Sequence, residues 1–336
     1  MINVVDVSVP GGTKTSQKQS YRLQKAIDIA FNACHRPGLV GAVHLDQSVF
    51  YPENQRLQIN NYVLEQTIRV PGNVLLVGGP GGRRTTRLQW RGLSEGQACL
   101  HYEGGYGGGL QGLDIGPRPE QAQTENLVGI LMESQSSSVF RDFNVNMTSS
   151  GKNSKGIFIT QTSRYNTESV VFEKFNARGS QPVVIGAGDN VCFRDFDITC
   201  NNDVDESHVN AVFQNHNGYV PANLVIESGT GQKGDHAVHF SGDRERARGT
   251  GDSMLIQSFR WEQGSDTGPA WVFDVNRFAK ERPSQRLHWL ESLTMLNCRN
   301  SPMPSNSEYF SYVVRGVLNF TPIGGYLNGK KDSEGD

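Results

Sequence analysis

The chain has 336 residues, with 32 basic against 34 acidic side chains, a net charge of -2 and 38 glycines. Balanced charge argues against nucleic acid or an anionic membrane as the main partner, and no apolar run approaches the roughly 18–20 residues of a membrane span. Five cysteines (Cys34, Cys99, Cys192, Cys200, Cys298), an odd number without metal-type spacing, read as buried or incidental thiols rather than a disulfide framework.

The start, Met1-Ile2-Asn3-Val4-Val5-Asp6, has neither a basic n-region nor an apolar h-region, so no secretory signal is visible. The expectation is that a signal has been removed, or that the protein leaves its cell another way, such as in a virus particle. A short Val-rich strand is predicted over 3–9. Apolar residues at 23, 26, 27, 30 and 31 then have helical spacing, which predicts a helix over 21–31 with Ser20 as N-cap and Pro37-Gly38 beyond its end. One amphipathic helix ahead of short strands serves to cover the open end of a β-stack. Strands are predicted over 41–45, 62–64, 67–70 and 73–78. The Gly-rich run 104–109 reads as a corner rather than a phosphate cradle, because no GxxxxGK[ST] is present.

From Leu110 onward the chain repeats itself. Phe193-Arg194-Asp195-Phe196-Asp197-Ile198 has near-copies starting at Leu110, Phe140, Phe172, Ile256 and Leu290, and a looser one at Pro221. Positions one, four and six are mostly apolar; two, three and five are mostly polar. Repeats of roughly 20–50 residues mean stacked architectures, and units made of strands select an all-β solenoid. Position five runs Asp114, Asn144, Asn176, Asp197, which suits a hydrogen-bonded ladder. Position two runs Gln111, Arg141, Glu173, Arg194, which suits pairing across coils. The expected organisation is 1–36 strand and capping helix, 37–300 solenoid, and 301–336 extension and polar tail. Two long connections, 201–219 and 241–252, project from the scaffold, where function usually resides.

Three segments carry a resemblance: Gly11-Gly12-Thr13, the helix over 23–30, and Ile68-Arg69-Val70-Pro71-Gly72-Asn73-Val74-Leu75-Leu76-Val77-Gly78. In this arrangement the chain resembles the pectate-lyase-like superfamily over roughly residues 3–300. The resemblance implies a right-handed, single-stranded parallel β-helix with an N-terminal capping α-helix. The superfamily includes polysaccharide lyases, glycoside hydrolases, epimerases and the tailspikes of bacterial viruses, which are typically homotrimers. Two departures stand out. The usual acidic Gly-Asp-Gly-x-x-Asp-Asp segment is here Gly-Gly-Thr-Lys-Thr-Ser, and the Gly-Asp-Asp of polygalacturonase-like members is here Gly234-Asp235-His236.

Glycoside hydrolysis needs two carboxyl groups flanking the bond, whereas elimination needs a base and a cation. Asp195 and Asp197 stand two apart, so strict strand alternation puts both on one outward face. Asp235 joins them as a carboxylate candidate; Asp205, Glu206 and His208 are second choices. That loop, with Asp203, is the densest acidic cluster: an acid/base set, a calcium site, or a solvated loop. His236 and His239 beside Asp235 supply a base with its orienting carboxylate, or a structural pair. Arg244, Arg246 and Arg248 suit an acidic sugar chain, or are merely solvated. Tyr102, Tyr106, Tyr165 and Tyr219 are sugar platforms, whereas Trp261 occupies an apolar slot and belongs to the core.

The leading expectation is a polysaccharide hydrolase or lyase acting on a long glycan in the solenoid groove, a virus tailspike-type depolymerase being one form. It is extracellular or virion-associated, homotrimeric and without a cofactor beyond calcium. The rival is a non-catalytic spike or adhesin.

Overall fold

The computed structural model describes residues 5–9, 16–34, 39–45, 50–51, 56–57, 60–79, 83, 85–160, 167–201, 204–205, 208–241, 253–262, 269–275, 290–301 and 312–324. β1 (Val5–Val9) precedes α1 (Ser16–Ala33) and pairs in parallel with β2 (Gly41–Leu45). A small hairpin of β3 (Phe50–Tyr51) and β4 (Arg56–Leu57) leads to β5 (Asn60–Leu64) and β6 (Ile68–Pro71), which complete the first coil. The second coil is β7 (Val74–Val77), β8 (Thr86–Trp90) and β9 (Ala98–Tyr106). The third is β10 (Gly109–Gln111), β11 (Asp114–Pro117) and β12 (Val128–Ser136).

Thereafter the first two stretches of each coil fuse into one bent strand, followed by a shorter strand on the third face. The successive pairs are β13 (Val139–Asn146) with β14 (Lys155–Thr160), β15 (Glu168–Gly179) with β16 (Gln181–Ile185), and β17 (Asp189–Cys200) with β18 (Ala211–Asn215). β19 (Leu224–Gln232) with β20 (His236–Ser241) and β21 (Ser253–Glu262) with β22 (Trp271–Asp274) follow. β23 (Leu290–Leu296), β24 (Arg299–Ser301), β25 (Tyr312–Arg315) and β26 (Val317–Ile323) carry the parallel ladders past residue 300. The chain is a parallel β-helix, wound right-handed as parallel crossovers are.

The six-residue repeat bends because its third position adopts left-handed backbone. Gly112 (φ 72°), Asp142 (49°), Lys174 (53°), Asp195 (54°), Ser228 (55°), Ser258 (51°) and Asn297 (53°) occupy successive corners. One such residue turns the strand without ending its ladder. Side chains at positions one, four and six therefore all point inward, on the two arms of an L. Phe140, Phe172 and Phe193 stack at 5.0 and 4.8 Å on one arm, and Phe143, Phe175 and Phe196 at 5.2 and 5.8 Å on the other. Each such ring pair contributes about 0.5–1.5 kcal/mol beyond the area it buries.

Two repeat copies sit elsewhere than the apolar pattern suggests. Phe193 pairs with Ile226, so the copy after β17 begins at Ile226 and not at Pro221. Ile256 pairs with Met295, so the last copy begins at Met295 and not at Leu290. The first misreading has a clear cause: Gly229 and Gly231 hold the two inward positions four and six. Rings from neighbouring coils fill the space they leave, Phe196 over Gly229 and Phe259 over Gly231, meeting edge to face at 5.1 Å.

α1 begins at Ser16, one turn before the expected start, so Ser20 lies inside it rather than capping it. Leu23, Ala26, Ile27 and Ala30 are buried on its inner face. Its polar side chains stand in for a missing strand. The Val63 N–H donates to Gln19 Oε1 (2.7 Å) and the Glu65 N–H to Ser20 Oγ (2.9 Å). Gln24 both donates to the Arg69 carbonyl and accepts from the Arg69 N–H, each at 2.9 Å. All five cysteines are free thiols; burial pushes those of Cys99 and Cys200 well up and that of Cys298 to about 11.

Candidate functional site

The corner residue decides where the first aspartates point. Asp195 turns the bend, and Asp197 faces outward from the second arm, so strict alternation across them fails. Both are exposed. Position two pairs across coils as the charge pattern suggests: Arg141 donates to Gln111 Oε1 at 2.9 and 2.7 Å, and Arg194 grips Glu173. Asp197 is separated from Asp114, the other carboxylate of its row, by Asn176 and Asn144. Three strand spacings make about 14 Å, beyond the roughly 5–9.5 Å of a glycosidase pair.

Asp205 and His208 come together, with the His208 Nδ1 2.6 Å from Asp205 Oδ1. Buried Asn153 pins the pair by donating to Asp205 Oδ2 (2.8 Å) and accepting from its N–H (3.2 Å). Glu206, Tyr165, Arg244 and Arg246 lie outside the described residues, as do Asp203 and Arg248. Among the described residues, no three His, Cys, Asp or Glu side chains converge as metal ligands.

Asp235 is half-buried beside Cys200, whose thiol its charge helps to raise after the larger effect of burial. It does not orient His236; the Pro269 carbonyl does, accepting from Nδ1 at 2.7 Å. The His236 ring meets His239 edge-on at 4.9 Å. Burial first, and His236 second, push His239 down to about 4 against the pull of Asp274. Tyr219 is not a platform: it is buried, and its hydroxyl bonds the N–H and carbonyl of Gly188, each at 3.1 Å. Tyr102 and Trp261 are likewise core.

Among the described residues stands an outward constellation that the apolar repeat did not show. On the third face Glu103 and Glu133 are register partners on β9 and β12, one strand spacing of about 4.8 Å apart at the backbone. His101 stands between their carboxylates, Nδ1 3.2 Å from Glu103 Oε1 and Nε2 3.0 Å from Glu133 Oε2. Arg69 closes the row on Glu103 at 2.8 Å. Three residues on, Tyr106 is 75% exposed. It rides a corner whose glycines, Gly104, Gly105, Gly107, Gly108 and Gly109, all take positive φ that an L side chain rarely adopts. The available signal was the third-strand repeat, His101-Tyr102-Glu103 over Leu131-Met132-Glu133.

A concavity of about 260 Å³ lies on the outer face of β8, β11 and β13. Arg87 Nε donates to Asp114 Oδ2 at 2.7 Å, and Asn144 donates to Asp114 Oδ1 at 2.6 Å. Gln89, Asn146, Ser149, Pro117 and Pro119 complete its walls, with side-chain-free Gly116 between Gln89 and Asn146.

No family model and no curated protein matches the chain. Solved structures do. A polygalacturonase from Erwinia carotovora ssp. carotovora aligns with a TM-score of 0.53 over 98% of this chain and 98% of its own, at 11% identity. The two share a parallel β-helix fold. ORF18 of Geobacillus virus E2 aligns at TM-score 0.51 and 11% identity over 98% of this chain, which spans 62% of that protein. The Dettilon tailspike protein gp208 gives TM-score 0.51 and 11% identity over 96% of this chain and 68% of its own. Among the described residues no helix is long and apolar enough to cross a membrane.

Proposed function

We propose that the protein is a glycan-binding β-helix, extracellular or virion-associated, that holds a polysaccharide against the third face of its first coils. The observation that carries this reading is Tyr106, an exposed ring on the glycine-built corner that ends β9, three residues along the chain from the cluster of Arg69, His101, Glu103 and Glu133. A ring face stacks on the apolar face of a pyranose, while the charged groups alongside exchange hydrogen bonds with hydroxyls. The likeness to a tailspike and a polygalacturonase supports the scaffold, and homotrimeric assembly belongs to the same reading. The test is titration of the full chain with acidic and neutral polysaccharides. Tyr106→Ala weakens binding at least tenfold, a loss of about 1.4 kcal/mol. Binding that survives both Tyr106→Ala and Arg69→Ala sinks the reading.

Cleavage is the second reading, favoured by the neighbouring glutamates: one spacing apart in register, they fall within reach of a two-carboxylate mechanism. It predicts new reducing ends, with ultraviolet absorbance as well if the reaction is elimination. Glu103→Gln or Glu133→Gln then lowers the rate by roughly 10²–10⁴-fold. Asp195→Asn, Asp197→Asn and Asp235→Asn form the comparison set, and loss there alone moves the chemistry to those residues.

A further inference from the structure

The cleft on β8, β11 and β13 belongs to a different face from Tyr106 and its neighbours. Its groups form a small polar bowl. Arg87 uses Nε on Asp114, and its two terminal nitrogens make no hydrogen bond among the described residues. The same holds for the Gln89 amide and the Ser149 hydroxyl. Pro117 and Pro119 supply apolar ring surface at one side. Unused donors and acceptors around a concavity are the arrangement that orients a polar ligand. At about 260 Å³ the space lies just below the roughly 300–1,000 Å³ of small-molecule pockets, enough for one sugar unit rather than a length of chain.

Charge chooses the sugar. Asp114 neutralises Arg87, and its carboxylate, 16% exposed, lines the bowl. A uronate placed here meets that carboxylate at short range, and like charges in a partly desolvated site repel. Hydroxyl groups meet no such obstacle. Each accepts from a guanidinium or amide N–H and donates to a carbonyl or carboxylate oxygen.

We propose that this cleft is a second carbohydrate site, separate from the Tyr106 surface, that binds one neutral, uncharged sugar unit through Arg87, Gln89 and Ser149. It rests on the carbohydrate reading above but on different residues, so the two fail separately. Arg178 provides the counter-case. It pairs in register with Asn146, one strand beyond the cleft, and its side chain makes no hydrogen bond or ion pair among the described residues.

The experiment is calorimetric titration of the full chain with neutral gluco-, galacto- and manno-oligosaccharides, and with oligogalacturonate as the anionic counterpart. The expected result is binding of at least one neutral oligosaccharide. Gln89→Ala weakens it at least threefold and Arg87→Ala at least tenfold. Gln89→Ala removes no side-chain hydrogen bond among the described residues, so it remains decisive if Arg87→Ala fails to fold. Neutral binding that ignores Gln89→Ala, or no neutral binding at all, overturns the proposal. Tighter binding of oligogalacturonate that disappears in Arg178→Ala overturns the neutral class. Loss of polysaccharide binding in Tyr106→Ala alone bears on the first site only.

Discussion

Gly229→Ala tests the register of the solenoid at one atom. Gly229 holds the inward fourth position opposite Phe196, and a Cβ built there lies inside the van der Waals envelope of the Phe196 ring. That ring cannot move aside freely: Phe175, Phe213 and Phe259 surround it at 5.8, 5.3 and 5.1 Å. Overpacking of this kind costs about 1–3 kcal/mol. Against it stands the entropy a glycine-to-alanine change removes from the unfolded chain, about 0.4–1 kcal/mol in favour of folding where the space is open. The clash wins, and a net destabilisation of about 1–2 kcal/mol is expected. Urea unfolding followed by circular dichroism reads it as a lower midpoint at unchanged slope. Adding Phe196→Leu removes the obstructing ring, so Gly229→Ala costs less in that background, with a coupling of about 0.5–3 kcal/mol. A neutral or stabilising Gly229→Ala, or strict additivity in the double variant, refutes the packing and with it the register.

His239 makes stability sensitive to acid. Its ordinary value of 6.5 falls to about 4 in the folded chain, so between these values the unfolded state binds more protons. Its contribution is intact above pH 6.5, shrinks as pH falls towards 4, and levels off below, a total of at most about 3 kcal/mol. Unfolding midpoints across that range fall less steeply in His239→Gln; an identical slope removes His239 as the cause. Ile27→Ala, on the buried face of α1, is expected to cost about 2–5 kcal/mol. Amide exchange in β5 and β6 rises with it, because the helix that occupies their open edge loosens; unchanged exchange in those strands contradicts the capping role.

Much of the scaffold was legible because a solenoid repeats its local problem. Phe140, Phe143 and Val145 recur as Phe172, Phe175 and Ala177 and as Phe193, Phe196 and Ile198, and the structure stacks them in that register. The amphipathic pattern of residues 23–31 marked the helix and its buried face, although the polar turn 16–20 showed no periodicity to extend it. Legibility ended where an inward position lost its side chain. Gly229 and Gly231 leave no apolar mark, since the rings that fill their places belong to residues about 30 positions away in sequence and one coil away in space.

The sites show the same division. Residue types alone placed Asp205 and His208 in one candidate loop cluster, and they marked Asp195 as polar and outward; that the two side chains meet, pinned by Asn153, came from the structure. That Asp195 turns a corner was decided by the left-handed backbone its coil closure demands. Glu103 meets Glu133, and Gln89 flanks Gly116, only through inter-strand register. Composition and periodicity therefore determined a stacked β architecture, its capping helix and its aromatic core, because burial of apolar side chains acts on every coil alike. The tertiary structure alone decided which polar residues share a surface, because outward side chains feel no common burial force and take their neighbours from how adjacent coils align.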